Sequence, residues 1–171
     1  GPDSSSIPFM KNPISRRQFV GSTVTAGAAI ALMPRLSRAA SPGNKVVLAV
    51  AGVRTGAPGS SGRGIELIHK FTALPGVEFK YVIDPDRRYL APAAAIAEKA
   101  QGRAPKQETD FRRVLEDKDV DALLVTTPDH WHAPMAILAA KAGKHVYVEK
   151  PCSHNPREGE ILVEVARKHG R

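Results

Sequence analysis

The residues best suited to chemistry lie in two short stretches, residues 126–132 and 149–151. The first carries two threonines, a proline, an aspartate and two histidines, and the second is Glu-Lys-Pro. Each stretch follows an apolar run typical of a buried strand and precedes a run typical of a helix. In an open α/β sheet, ligands bind beyond the carboxyl ends of the strands. We therefore expect both stretches to line one ligand-binding crevice.

Lys150 is the strongest candidate for a catalytic residue. An ammonium group held beside an alcohol can hydrogen-bond to its hydroxyl and ease the loss of the proton as hydride leaves. Glu149 and Pro151 flank it, and we expect all three residues to contact a cofactor. The alternative is a surface lysine paired with Glu149.

A glycine-rich segment follows the first predicted strand and suggests what the crevice binds. A dinucleotide fingerprint needs a tight turn, a close backbone approach to the pyrophosphate and a helix N-terminus aimed at the negative charge. The candidate cofactor-binding residues in this segment are Gly52, Arg54, Gly62, Arg63 and Gly64. Residues 55–61 make the loop longer than the fingerprint allows. Either the loop bulges out while the helix still binds phosphate, or the amides of residues 59–61 rebuild the phosphate site.

Asp84 ends the second predicted strand, twenty residues after Gly64. A carboxylate there accepts hydrogen bonds from the adenosine ribose hydroxyls and repels a 2′-phosphate. The sequence therefore predicts NAD in preference to NADP, although Arg87 and Arg88 would weaken the preference. The alternative is that Asp84 caps a helix or closes a turn before Pro85.

The first stretch is then expected to wall the nicotinamide-ribose end of the crevice. The residues concerned are Thr126, Thr127, Pro128, His130 and His132. The two histidines could instead bind a metal, but a third and fourth ligand at metal-site spacing are missing, so no metal site is predicted. In the structural alternative, Asp129 caps the following helix and Trp131 packs at its start.

The elements that must position these residues alternate between strand and helix from residue 45 onward. Predicted strands span residues 46–51, 77–83, 106–109, 120–126 and 145–148. Predicted helices span residues 63–73, 86–101, 111–116, 134–142 and 156–169. This alternation predicts an α/β fold, a doubly wound parallel sheet of the Rossmann type, with the third strand at an edge. Because a 3-2-1-4-5-6 sheet needs one more strand, we expect the chain to be part of a longer protein. The alternative is a complete five-stranded domain.

Composition bounds the function further. The chain has 171 residues, 42% of them apolar, enough for one compact domain with appendages. Its net charge is +8, but residues 40–171 hold twenty basic against sixteen acidic residues, so a nucleic-acid-binding surface is not predicted. A single cysteine, Cys152, excludes an internal disulfide framework.

The first forty-four residues are expected to lie outside the folded domain. Residues 1–14 are predicted to be disordered or tag-like, residues 15–40 a twin-arginine signal peptide, and residues 41–44 a linker to the dinucleotide-binding domain, residues 45–171. The signal is indicated by Arg16 and Arg17, a weakly apolar run and a small-residue cleavage site. It predicts export to the periplasm. An uncleaved membrane anchor is the alternative, although an apolar run of about 13 residues is too short to span a bilayer.

The order of these residues resembles the Gfo/Idh/MocA family, the glucose-fructose oxidoreductase and inositol dehydrogenase group. Residues 142–151, with their Glu-Lys-Pro, are the most specific part. The resemblance implies a Rossmann domain that binds NAD or NADP and a second α/β domain that binds a sugar, cyclitol or related polyol. Hydride would move between nicotinamide C4 and the substrate. The lysine matching Lys150 would contact substrate and cofactor ribose.

The same resemblance implies that the usual acid/base pair, a histidine and an aspartate, lies in the second domain, whose sheet would also form an oligomer interface. Two alternatives to a dehydrogenase stay open. One is an NAD-dependent glycosidase that oxidises, eliminates and re-reduces its substrate. The other is a truncated, catalytically inactive module that binds nucleotide or a partner.

Overall fold

The computed structural model describes residues 45–55 and 62–171. The strands of this part of the chain are β1 (Val46–Ala51), β2 (Val77–Ile83), β3 (Lys106–Glu108), β4 (Ala122–Val125) and β5 (His145–Val148). The α-helices are α1 (Arg63–Thr72), α2 (Arg87–Gln101), α3 (Phe111–Leu115), α4 (His132–Lys141) and α5 (Pro156–His169), and a 3₁₀ turn (Asp129–Trp131) precedes α4. The predicted leader, its linker and loop residues 56–61 lie outside the described residues.

The five strands form one parallel sheet in the order β3-β2-β1-β4-β5. This confirms the predicted strand order and places β3 at an edge. Ala51, the last residue of β1, pairs with Ile83 of β2 and with Val125 of β4. The carboxyl ends of the three central strands are therefore level, and the chain reverses its winding direction between β1 and β4, where such sheets bind ligands.

Helices cover both faces of the sheet because the strands are apolar on both sides. On one face Leu48 and Val50 pack with Ile68 of α1 and Ala93 of α2. On the other face Ala49 and Ala51 alternate with them and pack in a cluster that includes Met135 of α4. Two apolar cores on one sheet confirm the doubly wound α/β fold.

The start of α4 differs from the prediction. The helix begins at His132, two residues before Pro134, because residues 129–131 form a 3₁₀ turn that leads directly into it. Trp131, not Asp129, is the N-cap residue, and its side chain makes no capping hydrogen bond. Among the described helices, none combines the length and apolarity that a membrane span requires.

Candidate functional site

The carboxyl ends of β1, β2, β3 and β4 open onto one crevice of about 920 Å³. Its volume lies in the range of small-molecule and cofactor sites. Nine of the residues predicted from sequence line it: Gly52, Arg54, Gly62, Arg63, Asp84, Thr126, Thr127, Pro128 and His130. The remaining five lie outside its wall: Gly64, His132, Glu149, Lys150 and Pro151.

Gly52, Gly64 and Thr126 form a close-packed seam beneath the crevice. Gly52 has a φ of +91°, and a Cβ there would lie 2.6 Å from the carbonyl carbon of Thr126. A Cβ on Gly64 would overlap the Gly52 carbonyl oxygen and lie 2.9 Å from Thr126 Oγ1. The Thr126 hydroxyl lies 2.8 Å from the carbonyl oxygens of Ala51 and Gly52, to which it donates. Helix α1 can thus approach the ends of β1 and β4 only because both residues are glycine.

The seam aims the N-terminus of α1 into the crevice. Gly62 is the N-cap residue and offers no side-chain cap, so the amides of the first turn stay available to an anion. The Arg63 side chain contacts two carboxylates, with Nε 2.6 Å from Glu149 Oε1 and Nη1 2.7 Å from Glu66 Oε2. Hydrogen bonds to Glu66 and Glu149 raise the pKa of Arg63. Backbone amides, more than this guanidinium, are therefore available for a pyrophosphate.

Asp84 lines the crevice just beyond the end of β2 and is only 8% exposed. Its Oδ2 accepts a hydrogen bond of 3.1 Å from the Val53 amide, and its Oδ1 accepts one of 2.9 Å from the Asp86 amide. The second bond closes a turn at Pro85, as the structural alternative anticipated, while the helix cap is Asp86. Each carboxylate oxygen has two lone pairs and uses one, so Asp84 can still accept hydrogen bonds from a ligand.

Residues beyond β3 complete this side of the crevice, and the sequence reasoning missed them. They are Thr109, Asp110, Phe111 and Arg112. Arg112 Nη2 lies 2.6 Å from Asp110 Oδ2, and the hydrogen bonds from Arg112 lower the pKa of Asp110 to about 2. The signal was available, since β3 neighbours β2 in the predicted order and its carboxyl end must lie beside Asp84. Tyr89, Trp131, Met135 and Leu138, also missed, are helical or turn residues whose orientation the pattern does not give.

The β4 side of the crevice is more exposed. Thr127, Pro128 and His130 line it as predicted, and Trp131 beside them is 48% exposed. Asp129 lies outside the wall and faces two imidazoles, with Oδ2 3.4 Å from His154 Nδ1. Burial raises the pKa of Asp129, but hydrogen bonds involving His154 and His130 outweigh it and lower the pKa. Within residues 45–55 and 62–171, no three histidine, cysteine or acidic side chains converge as metal ligands.

Glu149 and Lys150 differ in their contacts. Burial raises the pKa of Glu149, but hydrogen bonds from Arg63 and from the Tyr147 hydroxyl, 3.0 Å away, outweigh it and lower the pKa. Lys150 is exposed, and no carboxylate in the described part of the chain lies within 4.0 Å of its Nζ. The predicted alternative, a Lys150–Glu149 ion pair, is therefore not formed. The Lys150–Pro151 peptide bond is cis.

His132 requires a correction. We expected it in the crevice wall, but the structure buries it, with 3% of its surface exposed. Its Nδ1 lies 2.6 Å from the Pro151 carbonyl oxygen and its Nε2 lies 2.7 Å from the Thr127 carbonyl oxygen. With both ring nitrogens occupied, it has none left for a cofactor. The sequence does not show whether a histidine is buried, so its pattern alone could not predict the position of His132.

Comparison with known proteins places this site in a family. Residues 55–171 match the family model GFO_IDH_MocA, described as an oxidoreductase family with an NAD-binding Rossmann fold. GenD2 of gentamicin A biosynthesis, solved in complex with NAD, superposes with a TM-score of 0.63 and 27% identity over 81% of this chain and 35% of GenD2. Other solved structures of this fold hold NADP.

Two curated relatives cover more of the sequence. One is glycosyl hydrolase family 109 protein 1 of Shewanella sp. strain ANA-3, 34% identical over 91% of this chain. The other is the alpha-N-acetylgalactosaminidase of Shewanella oneidensis, 33% identical over 91%. The chain spans 37% of the length of each. Since the family model covers more than two thirds of its residues, the chain belongs to the Gfo/Idh/MocA oxidoreductase family and carries its NAD-binding Rossmann fold.

Proposed function

We propose that this chain is the dinucleotide-binding part of an enzyme that moves hydride to or from a carbon of a sugar, cyclitol or related polyol. The observation that carries the proposal is the seam of Gly52, Gly64 and Thr126, which brings a helix N-terminus to the crevice that Asp84 also lines, at the switch point of the sheet. A pyrophosphate and a ribose need those two groups at one site.

Each group has a distinct role in this proposal. The first-turn amides of α1 bind the pyrophosphate, and Asp84 accepts hydrogen bonds from the adenosine ribose hydroxyls. The bound dinucleotide supplies the hydride chemistry. Lys150, whose Nζ has no carboxylate partner within the described residues, donates a hydrogen bond to the substrate oxygen and favours loss of its proton.

The preferred cofactor in this proposal is NAD. A 2′-phosphate would meet the Asp84 carboxylate, and Arg88, a cation that could compensate, is already held by Asp86 through Nη2 at 2.6 Å. We expect NADH to bind at least about tenfold more tightly than NADPH, because like charges placed together cost several kcal/mol. Calorimetric titration of the chain with both nucleotides tests this. Absence of NADH binding at millimolar ligand contradicts the proposal, and equal affinities contradict the preference.

A second function is favoured by the two curated relatives, which are named as glycosidases. In this version the sugar is oxidised by hydride transfer to the dinucleotide, the aglycone leaves with a proton as its alcohol, water adds to the resulting unsaturated ketone, and the hydride returns to the carbonyl carbon. The dinucleotide is therefore not consumed. The full-length protein should then hydrolyse 4-nitrophenyl N-acetyl-α-galactosaminide without net release of NADH. Release of NADH in step with loss of a sugar or polyol supports the dehydrogenase instead.

We also propose that the protein is exported by the twin-arginine route and works in the periplasm. The support is the order of Arg16, Arg17, a weakly apolar run and the small residues Ser37, Ala39 and Ala40. A reporter that is active only after twin-arginine export, fused after residue 44, should be active. Replacing both arginines by lysine should abolish that activity, and an unchanged signal contradicts the route.

A further inference from the structure

His132 is the buried residue that connects the turn after β4 to the turn after β5. Its ring lies between the Thr127 and Pro151 carbonyl oxygens, at 2.7 and 2.6 Å. These carbonyls belong to the two stretches, residues 126–132 and 149–151, that the sequence predicts to line one ligand-binding crevice. A side chain with 3% exposure and two short polar contacts is fixed in orientation and can fix what it contacts.

The sheet itself does not hold these turns together. The Glu149 amide donates to the Val125 carbonyl oxygen at 3.0 Å, and in the described chain no further backbone hydrogen bond joins the two turns beyond it. Among the described residues, the other polar contact between them is the exposed pair of His154 and Asp129, at 3.4 Å. His132 is therefore the buried tie beyond the end of the β4–β5 ladder.

Lys150 immediately precedes the tied carbonyl. Its amide lies 3.4 Å from Glu149 Oε2, a weak contact. Because its side chain is exposed, the position of the Lys150 ammonium group depends on the position of the adjoining backbone at Pro151. Displacement of a positioned group by about 1 Å can cost about a hundredfold in rate.

We propose that His132 is a positioning residue for Lys150, because its buried ring lies between the Thr127 and Pro151 carbonyl oxygens and fixes the backbone next to Lys150. This inference rests on the proposed function and on the expectation from the family resemblance that Lys150 contacts both the substrate and the cofactor ribose.

The test uses the full chain, NADH and an amine-acylating reagent, with acylation of each lysine followed by peptide mass spectrometry. In the wild type, saturating NADH should slow acylation of Lys150 about tenfold relative to the exposed Lys99, as expected for a site covered by bound ligand. H132F keeps a ring but has no donors. It should bind NADH within about threefold of the wild type, yet protect Lys150 less than about twofold.

H132Q retains a donor and should restore part of the protection, which a purely space-filling role would not predict. The exposed H69Q is the matched control and should behave as the wild type. Protection of Lys150 in NADH-bound H132F equal to that in the wild type overturns the inference. Failure of the proposed function would show differently, as no binding or no protection in the wild-type chain itself.

Discussion

Both ends of the sheet carry lysines and aspartates. At the amino end their charged groups bond to other groups of the chain, whereas at the carboxyl end they keep unused bonding capacity. At the amino end, Lys144 is 7% exposed and its Nζ donates to the carbonyl oxygens of Asp117 and Val120, at 2.6 and 2.9 Å. At the carboxyl end, Lys150 is exposed and has no carboxylate partner in the described chain. The two lysines are six residues apart and lie on either side of β5.

The carboxylates show the same contrast. Asp117, near the amino end, bonds Lys80, the Tyr81 hydroxyl and the Asp119 amide. Asp84, at the carboxyl end, bonds two backbone amides, and none of the described cations lies within 4.0 Å of it. Buried polar groups are nearly always satisfied, so a group with spare bonding capacity beside a crevice indicates a ligand. The amino end is built for stability, whereas the carboxyl end leaves capacity for binding.

The largest expected loss of stability comes from adding a Cβ within the seam at the carboxyl end. Gly52→Ala should lower the free energy of unfolding by about 3–4 kcal/mol, from its positive φ and the overlap with Thr126 together. NADH binding should be lost at the same time, because residues 126 and 127, which line the crevice, must move away from the end of β1. Denaturant unfolding and calorimetric titration measure the two effects.

Gly102→Ala is the matched control. Gly102 also has a positive φ, +75°, but its Cβ would meet nothing within 4 Å. It should cost about 1 kcal/mol and leave NADH binding intact. Equal losses in the two variants would show that backbone conformation, not close approach, is the reason for glycine at position 52.

The next largest effect is a difference in stability between variants of Lys144 and Lys150. Lys144→Met should cost about 2 kcal/mol of stability, because one buried and one partly buried carbonyl oxygen lose a charged donor. Lys150→Met should change stability by less than about 0.5 kcal/mol, since its side chain is exposed. Thermal and denaturant unfolding of both variants provide the measurement. A Lys150 variant as unstable as the Lys144 variant would mean that Lys150 has a structural role.

Substitution of a carboxylate should weaken NADH binding at the carboxyl end of the sheet and leave it nearly unchanged at the amino end. Asp84→Asn should weaken NADH binding about tenfold, because a ribose hydroxyl then donates to a neutral oxygen in place of a charged one. Asp121→Asn is the control at the amino end, where Oδ2 accepts from the Val47 amide at 2.8 Å. It should leave the NADH affinity within about twofold. Unchanged affinity in Asp84→Asn would reduce Asp84 to the turn acid of the structural alternative.

The sequence predicted the fold better than the roles of single side chains. Apolar runs located β1, β2, β4 and β5, because burial on both faces of a parallel sheet leaves a strong pattern. The third strand is polar and lies at an edge, as predicted. The pattern could not show that His132 faces two carbonyls, because residue type alone does not distinguish a ligand-binding histidine from a buried one. Residues 109–112 were missed for another reason: the strand order already placed them beside Asp84, but they form no recognisable motif.

The smallest expected effect is the part of the acid response that Asp117 contributes at the amino end. A hydrogen bond from Lys80 lowers the pKa of Asp117 to about 2, against burial, which raises it. The folded chain therefore holds this carboxyl ionised at a pH where the unfolded chain, with an ordinary pKa of about 3.9, protonates it. The resulting stability is complete above about pH 4 and is lost as the pH falls toward 2. Because the Lys80 and Asp117 side chains remain 17% and 18% exposed, solvent screening reduces the loss to about 1 kcal/mol.

Unfolding by urea at about pH 5 and about pH 2.5 measures this loss. Asp117→Asn should be less stable than the wild type at the higher pH and should lose less between the two. Asp119→Asn, which removes the 78% exposed second partner of Lys80, should keep most of the wild-type response. Wild type and Asp117→Asn with identical acid losses would contradict the assignment. The difference in acid loss between the wild type and Asp117→Asn should be the same at saturating NADH as without it, because the ligand binds at the other end of the sheet and the groups near Asp117 are already satisfied within the chain.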